Sequence, residues 1–237
     1  MVRCFRQGKA QTKSAVSYKN PIVDIAMPDP TVIKAADGYF YMYATESTRN
    51  VPIMKSKDLV QWTFCNTAFT NKTRPRFGNL EKLEILGHRD INYINNKYVL
   101  YYAMSVWGGE QTCGIGVATA DSPQGPFTDH GKMFRSNEIG VQNSIDPSFL
   151  QYEGRNYLVW GSFRGIYVIE LTEDGLSLKP GAEKKRIAGT AFEAVYIHKH
   201  GDYYYMFASI GSCCEGIRST YKVVVGRSKK CLGTLQR

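Results

Sequence analysis

Four acidic residues recur along the chain, each heading a short apolar run. Asp29 opens "DPTVIKAADGYFYMYAT", Asp90 opens "DINYINNKYVLYYA", Asp146 opens "DPSFLQYEGRNYLVWGS" and Glu193 opens "EAVYIHKHGDYYYMFAS". Carboxylates gathered without basic partners repel one another, and crowding and burial then separate their proton affinities. One stays ionised while another keeps its proton, which is what general acid and general base chemistry requires. A lone Asp before a strand is more simply a turn cap. An acid at the head of each of four similar segments points instead to a shared site.

The segments that carry these acids follow one plan. An apolar strand leads to a turn rich in Gly, Asn or Asp, and an aromatic strand then ends in a small residue, which is hairpin patterning. The acids stand 47 to 61 residues apart, room for about four strands in each interval. Further strand segments fill the gaps: "VPIMKSKD", "GIGVATADSPQGPF", "GIYVIELTEDG" and "YKVVVGRSKK". Repeated antiparallel units of this size predict an all-β fold built from the blades of a β-propeller. Asp29, Asp90, Asp146 and Glu193 are then expected at the start of successive innermost strands, converging at one end of the central channel.

Composition agrees with that class. The 237 residues include 16 Tyr and 11 Phe, and no long amphipathic helix pattern appears. No apolar run is long enough to span a bilayer. The net charge is +9, but Lys and Arg are scattered over strands and turns, which argues against a nucleic-acid interface and for a solvated surface. Residues 1–17 form a basic leader without the apolar stretch of a signal peptide and are expected to be poorly ordered. The six Cys, at 4, 65, 113, 213, 214 and 231, lack metal-ligand spacing, and free thiols are expected, the adjacent Cys213 and Cys214 included.

From about Tyr18 to about Ser228 the chain resembles the family 43 glycoside hydrolases, and within them the endo-arabinanases. The resemblance rests on "DPTVI", "AMSVWGGEQTCGIGVATADSPQGPF", "SNEIGVQNSIDPSF", "WGSFRGIY", "GTAFEAVYIHK" and "SIGSCCEGIRSTYKVVVGRS". It implies a five-bladed propeller with about four blades in residues 18–237, and hydrolysis of α-1,5-linked L-arabinan with inversion. Asp29 is the implied general base, Glu193 the general acid, and Asp146 the carboxylate that orients the acid and raises its pKa. Asp90 matches a further acid with a supporting role. Trp107 and Phe163 are candidates to stack on sugar rings, and Ser144, Arg164 and Ser219 to bond sugar hydroxyls. Packing, loop and turn roles are the competing readings of these five. His198 and His200 read as surface or strand residues.

The chemistry implied needs no cofactor, although the resemblance also places a structural Ca2+ near the channel centre beside a His of the last blade. It implies a secreted or periplasmic protein acting on pectin or hemicellulose side chains, without nucleic-acid or membrane partners. Open blade edges would favour self-association. An exo-acting arabinofuranosidase or β-xylosidase, or an inactive carbohydrate-binding propeller fragment, are the alternative functions.

Two stretches depart from the family. Gly87-His88-Arg89 stand where Trp-Ala-Pro is usual, and codons for Trp-Ala-Pro read one base later encode Gly-His-Arg. "CLGTLQR", residues 231–237, stands where Gly-Pro-aromatic is expected, and one frame offset restores it. A reading frame that shifts before about Gly87, recovers at Asp90 and shifts again near Lys230 is the expectation, covering residues 77–89 and 231–237.

Overall fold

The computed structural model describes residues 18–46, 48–76, 85–106 and 109–232. Those residues form four antiparallel sheets in chain order. The first holds β1 (Thr31–Lys34), β2 (Phe40–Tyr43), β3 (Pro52–Ser56) and β4 (Thr63–Thr67). The second holds β5 (Ile85–Ile94), β6 (Lys97–Ser105), β7 (Gly114–Ala120) and β8 (Thr128–Arg135), followed by one helical turn, α1 (Ser136–Ile139). The third holds β9 (Ser148–Tyr152), β10 (Arg155–Trp160), β11 (Ile166–Glu170) and β12 (Lys185–Ala188). The fourth holds three strands, β13 (Glu193–His200), β14 (Tyr203–Ile210) and β15 (Lys222–Ser228). Each sheet is a meander in which neighbours in sequence are neighbours in space.

The hairpins fall where the turn residues predict. Asn95 and Asn96 both adopt positive φ between the paired Ile94 and Lys97, and Glu153 and Gly154 do the same between Tyr152 and Arg155. Two such residues turn the chain with the hand that matches strand twist.

The sheets pack face to face as propeller blades, each interface closed by aromatic and branched side chains. Tyr41, Tyr43 and Ile53 of the first blade meet Leu86, Leu100 and Tyr102 of the second. Val99, Ile115 and Phe134 of the second meet Leu158, Trp160 and Ile169 of the third. Leu150, Ile166 and Val168 of the third meet Val195, Ile197 and Met206 of the fourth. The far face of the fourth blade leaves Tyr196, Phe207, Val223 and Val225 exposed.

Asp90 is placed differently from the sequence expectation. It lies in mid-strand in β5, buried, where its carboxylate accepts hydrogen bonds from Thr31 Oγ1 (3.4 Å), Asn92 Nδ2 (2.8 Å) and the Phe149 backbone N–H (2.6 Å). It therefore ties the first, second and third blades together. The difference has a physical origin: β5 starts earlier than the other innermost strands, so Asp90 falls five residues past its first residue, Ile85.

Cys213 and Cys214 also depart from expectation. They are joined to each other in the loop before β15, where a positive φ at Cys214 turns the chain between them. Cys65, Cys113 and Cys231 are free, as expected, and Cys4 lies outside the described residues.

Gly87 and Arg89 enter the sheet opposite Ala103 and Tyr102, with a register shift between them. The fit is poor at Arg89. Its side chain is buried, Nη2 donates to the Leu86 carbonyl, and Nε and Nη1 have no hydrogen-bond partner among the described residues. Burial also pulls its pKa down to about 9. Desolvating an ion without pairing it is destabilising, and an apolar replacement of a buried charge is often stabilising. Arg89→Leu is expected to raise stability by about 1–3 kcal/mol in urea unfolding; a loss of stability would mean that the guanidinium is held by contacts of real value.

Asp90 gives a pH test of the same packing. Burial raises its pKa from 3.8 to about 6 against the opposing effect of its three donors. The folded state thus binds this proton more tightly than the unfolded state does, so stability falls as pH rises from 3.8 to about 6. The loss is on the order of 3 kcal/mol. Asp90→Asn is expected to flatten that part of the stability profile; an unchanged slope between pH 4 and 6 (about the span of the two pKa values) would refute the assignment.

Candidate active site

A cleft of about 880 Å³ opens at the ends of the innermost strands, lined by Asp29, His88, Asp146, Ala194 and Tyr221 among others. Each blade contributes through the segment that leads into its first strand. Asp29 precedes β1, Asp146 precedes β9, and both adopt left-handed backbone, with φ of 50° and 57°. Glu193 begins β13, and Ala194 after it has φ 50°.

The carboxylates differ in surroundings. The Asp29 side chain is 45% exposed and accepts a hydrogen bond from Thr45 Oγ1 at 2.8 Å. The Asp146 side chain is 4% exposed, and its Oδ2 accepts the Ala194 backbone N–H at 2.9 Å. Glu193 is half-buried, and its Oε2 accepts from Ser162 Oγ at 2.7 Å. Burial raises the Glu193 pKa, and the nearby Asp146 charge adds to the rise. Hydrogen bonds from Tyr221 and Ser162 and the charge of His88 oppose it without cancelling it. One open carboxylate and one buried carboxylate therefore line the cleft, and a carboxyl inclined to keep its proton, Glu193, sits just behind Ala194 and Tyr221 of its wall.

This fold and this arrangement agree with the comparisons with known proteins. Residues 18–237 match the model of glycosyl hydrolases family 43. The chain belongs to that family. An extracellular endo-α-(1→5)-L-arabinanase of Bacillus subtilis is 34% identical over 221 residues, covering 86% of this chain and 66% of the relative. An extracellular exo-α-(1→5)-L-arabinofuranosidase of Cellvibrio japonicus is 32% identical, covering 86% of this chain and 65% of the relative. The chain thus spans slightly less than two thirds of these curated relatives. The solved structure of a Cellvibrio cellulosa α-L-arabinanase complexed with arabinohexaose superimposes with a TM-score of 0.79 at 28% identity, covering 90% of this chain and 74% of that one.

The remaining sequence candidates of this family 43 chain fall into several environments. Trp107 lies outside the described residues. Ser144 is fully buried, donating to the Val141 carbonyl and accepting from Trp160 Nε1, so its hydroxyl belongs to the scaffold. Arg164 makes a two-pronged pair with Glu110, at 2.9 and 2.8 Å. Ser219 Oγ accepts the Glu215 N–H and closes a turn. Phe163 is half-buried, with its N–H on the Phe192 carbonyl. Phe163, Arg164 and Ser219 lie outside the cleft wall. His198 and His200 are exposed on β13, as expected.

Sequence reasoning missed Thr45, Ser162, Tyr221 and His88. The first three are ordinary polar residues in strands or loops, with no signal in their spacing. His88 lay in a stretch marked as a departure, and its type was the available clue. As for a metal, no group of three or more His, Cys, Asp or Glu among the described residues is arranged to hold one. The buried Asp146 Oδ1 faces the His88 ring instead, at 2.6 Å from Nδ1. Among the described residues no Ca2+ cage is formed.

Tyr221 donates to Glu193 and favours its ionised form. Tyr221→Phe is therefore expected to raise the Glu193 pKa, read as a later ionisation of that carboxyl by 13C NMR. A midpoint that stays put or falls would place the phenol elsewhere.

Proposed function

We propose that the chain is an inverting glycoside hydrolase acting on α-1,5-linked L-arabinan. The observation that supports this reading is the division of labour among the three carboxylates. Asp29 is open to solvent and suits the general base that draws a proton from water attacking the anomeric carbon. Glu193, half-buried and with its proton held more tightly than usual, suits the general acid that delivers a proton to the departing glycosidic oxygen. Asp146, buried and charged beside Glu193, suits the group that tunes and orients the acid. In a single displacement the glycosidic C–O bond breaks as the new C–O bond to water forms on the opposite face. Inversion requires roughly 6.5–9.5 Å between base and acid, leaving room for that water.

Exo action is the second reading, because an endo-acting and an exo-acting relative match at similar identity, 34% and 32%. The size of the first products separates the two. Both relatives are named as extracellular, which supports a secreted location.

Linear arabinan incubated with the purified chain is expected to release reducing sugar, with the inverted anomer appearing first by 1H NMR. Glu193→Ala should lower the rate on the order of a hundredfold or more. Equal release by the variant, or first appearance of the retained anomer, would refute the assignment.

A further inference from the structure

The innermost strands share a backbone feature that the acids alone conceal. At one matching point of each innermost strand a non-glycine residue has φ between 42° and 57°: Asp29, His88, Asp146 and Ala194. Each stands two positions before a residue paired with the second strand, namely Thr31 with Tyr43, Asp90 with Tyr101, Ser148 with Val159 and Tyr196 with Phe207. Two positions beyond each partner comes a small residue, Thr45, Ala103, Gly161 or Ser209. By pairing register, the counterpart of Asp29 and Asp146 in the second blade is His88, and Asp90 is the counterpart of Thr31 and Ser148.

We propose that His88 is a positioning residue of this cleft, its imidazolium serving as the counter-charge that holds the carboxylates of Asp146 and Asp29 from two other blades. His88 Nδ1 lies 2.6 Å from Asp146 Oδ1 and 3.6 Å from Asp29 Oδ2. Asp146 Oδ1 is buried and has no aligned hydrogen-bond donor, so this ion contact is what compensates it. The ring is fixed from behind as well. The His88 backbone N–H donates to Thr45 Oγ1 at 2.9 Å, and the same hydroxyl donates to Asp29 at 2.8 Å. The register shift between Gly87 and Arg89 frees His88 from ladder pairing and turns it to the cleft.

The charged groups around His88 come from every neighbouring blade. Asp29 faces it from the first, Asp146 from the third, and Glu193 from the fourth, with Tyr221 bonded to Glu193. On its own strand, Arg89 donates to Leu86 and feels Glu46 and Arg74, while Asp90 is engaged by Thr31, Asn92 and Phe149. Partial burial would lower the His88 pKa, but Asp146, Asp29 and Glu193 outweigh it and hold it at about 9. The ring therefore remains a cation through the neutral range, and its charge moderates the raised pKa of Glu193.

The catalytic consequence rests on the glycosidase reading above, whereas the ion contact itself does not, and two measurements keep them apart. The first is imidazole titration by 1H–15N NMR on the full chain, whose four His are simplified by His88→Gln for assignment. The His88 signal is expected to titrate near pH 9 and to move down in Asp146→Asn. A midpoint near 6.5, the unperturbed value, that ignores Asp146→Asn would overturn the proposal whether or not sugar is released. The second is the pH profile on linear arabinan. His88→Gln should move the alkaline limb upward, since Glu193 then keeps its proton to higher pH. It should also lower kcat on the order of tenfold or more through lost positioning. A kcat loss with an unmoved limb would also overturn it, because the ring would then act only as packing. Absence of turnover in the unsubstituted chain would count against the arabinan reading and leave the NMR result to decide the contact.

Discussion

A buried carboxylate with donors from three blades is the constraint on which the cleft depends. Asp90 is enclosed by protein, yet it is bonded by Thr31 from the first blade, Asn92 from its own and the Phe149 N–H from the third. An acid in such a place is costly without partners and valuable with them. Its bonds set how far the strand starts of three blades stand from one another. Asp29 lies two residues before Thr31, and Asp146 lies three before Phe149. The carboxylates of Asp29 and Asp146 are thus fixed by a neighbour that lies in the same cleft wall but spends its own oxygens on the frame.

From that frame, small differences in exposure do much of the chemical sorting. Asp29 and Asp146 enter their strands alike, but one side chain is open to water and the other nearly closed off. Glu193 is intermediate, and hydroxyls from Ser162 and Tyr221 temper the effect of its burial. The dielectric gradient around the strand ends, more than residue identity, separates a group suited to accept a proton from one suited to give it.

Much of this was legible in the residues. Alternation, Asn and Gly turns and a repeated plan located the hairpins, because local backbone chemistry controls them. The recurring acids located the cleft, because residues at blade starts share one end of a channel. The pairing register was not legible. Residue type groups Asp90 with Asp29 and Asp146, and only the hydrogen-bonded ladder shows that the matching position holds His88. Ser144 illustrates the converse: its place beside a site-bearing motif leaves its hydroxyl open to sugar or to loop backbone, and the Trp160 indole uses it inside the core. Such choices depend on contacts between distant segments, which one-dimensional spacing does not encode. The join between Cys213 and Cys214 likewise depends on a left-handed turn that their types alone do not announce.

The repeated left-handed residue has a bearing on which side chains a cleft of this kind can display. Outside glycine, that backbone region is enriched several-fold in Asn, Asp and His, whose short polar side chains offset its steric strain. Asp29, His88 and Asp146 are drawn from that set, and Ala194 is the exception, directly after Glu193. The hook that aims a residue at the channel mouth thus narrows the alphabet to residues that hydrogen-bond or carry charge. Steric law at the backbone and reactivity at the side chain select the same few amino acids, so a propeller with such hooks is predisposed to polar chemistry before any substrate shapes it.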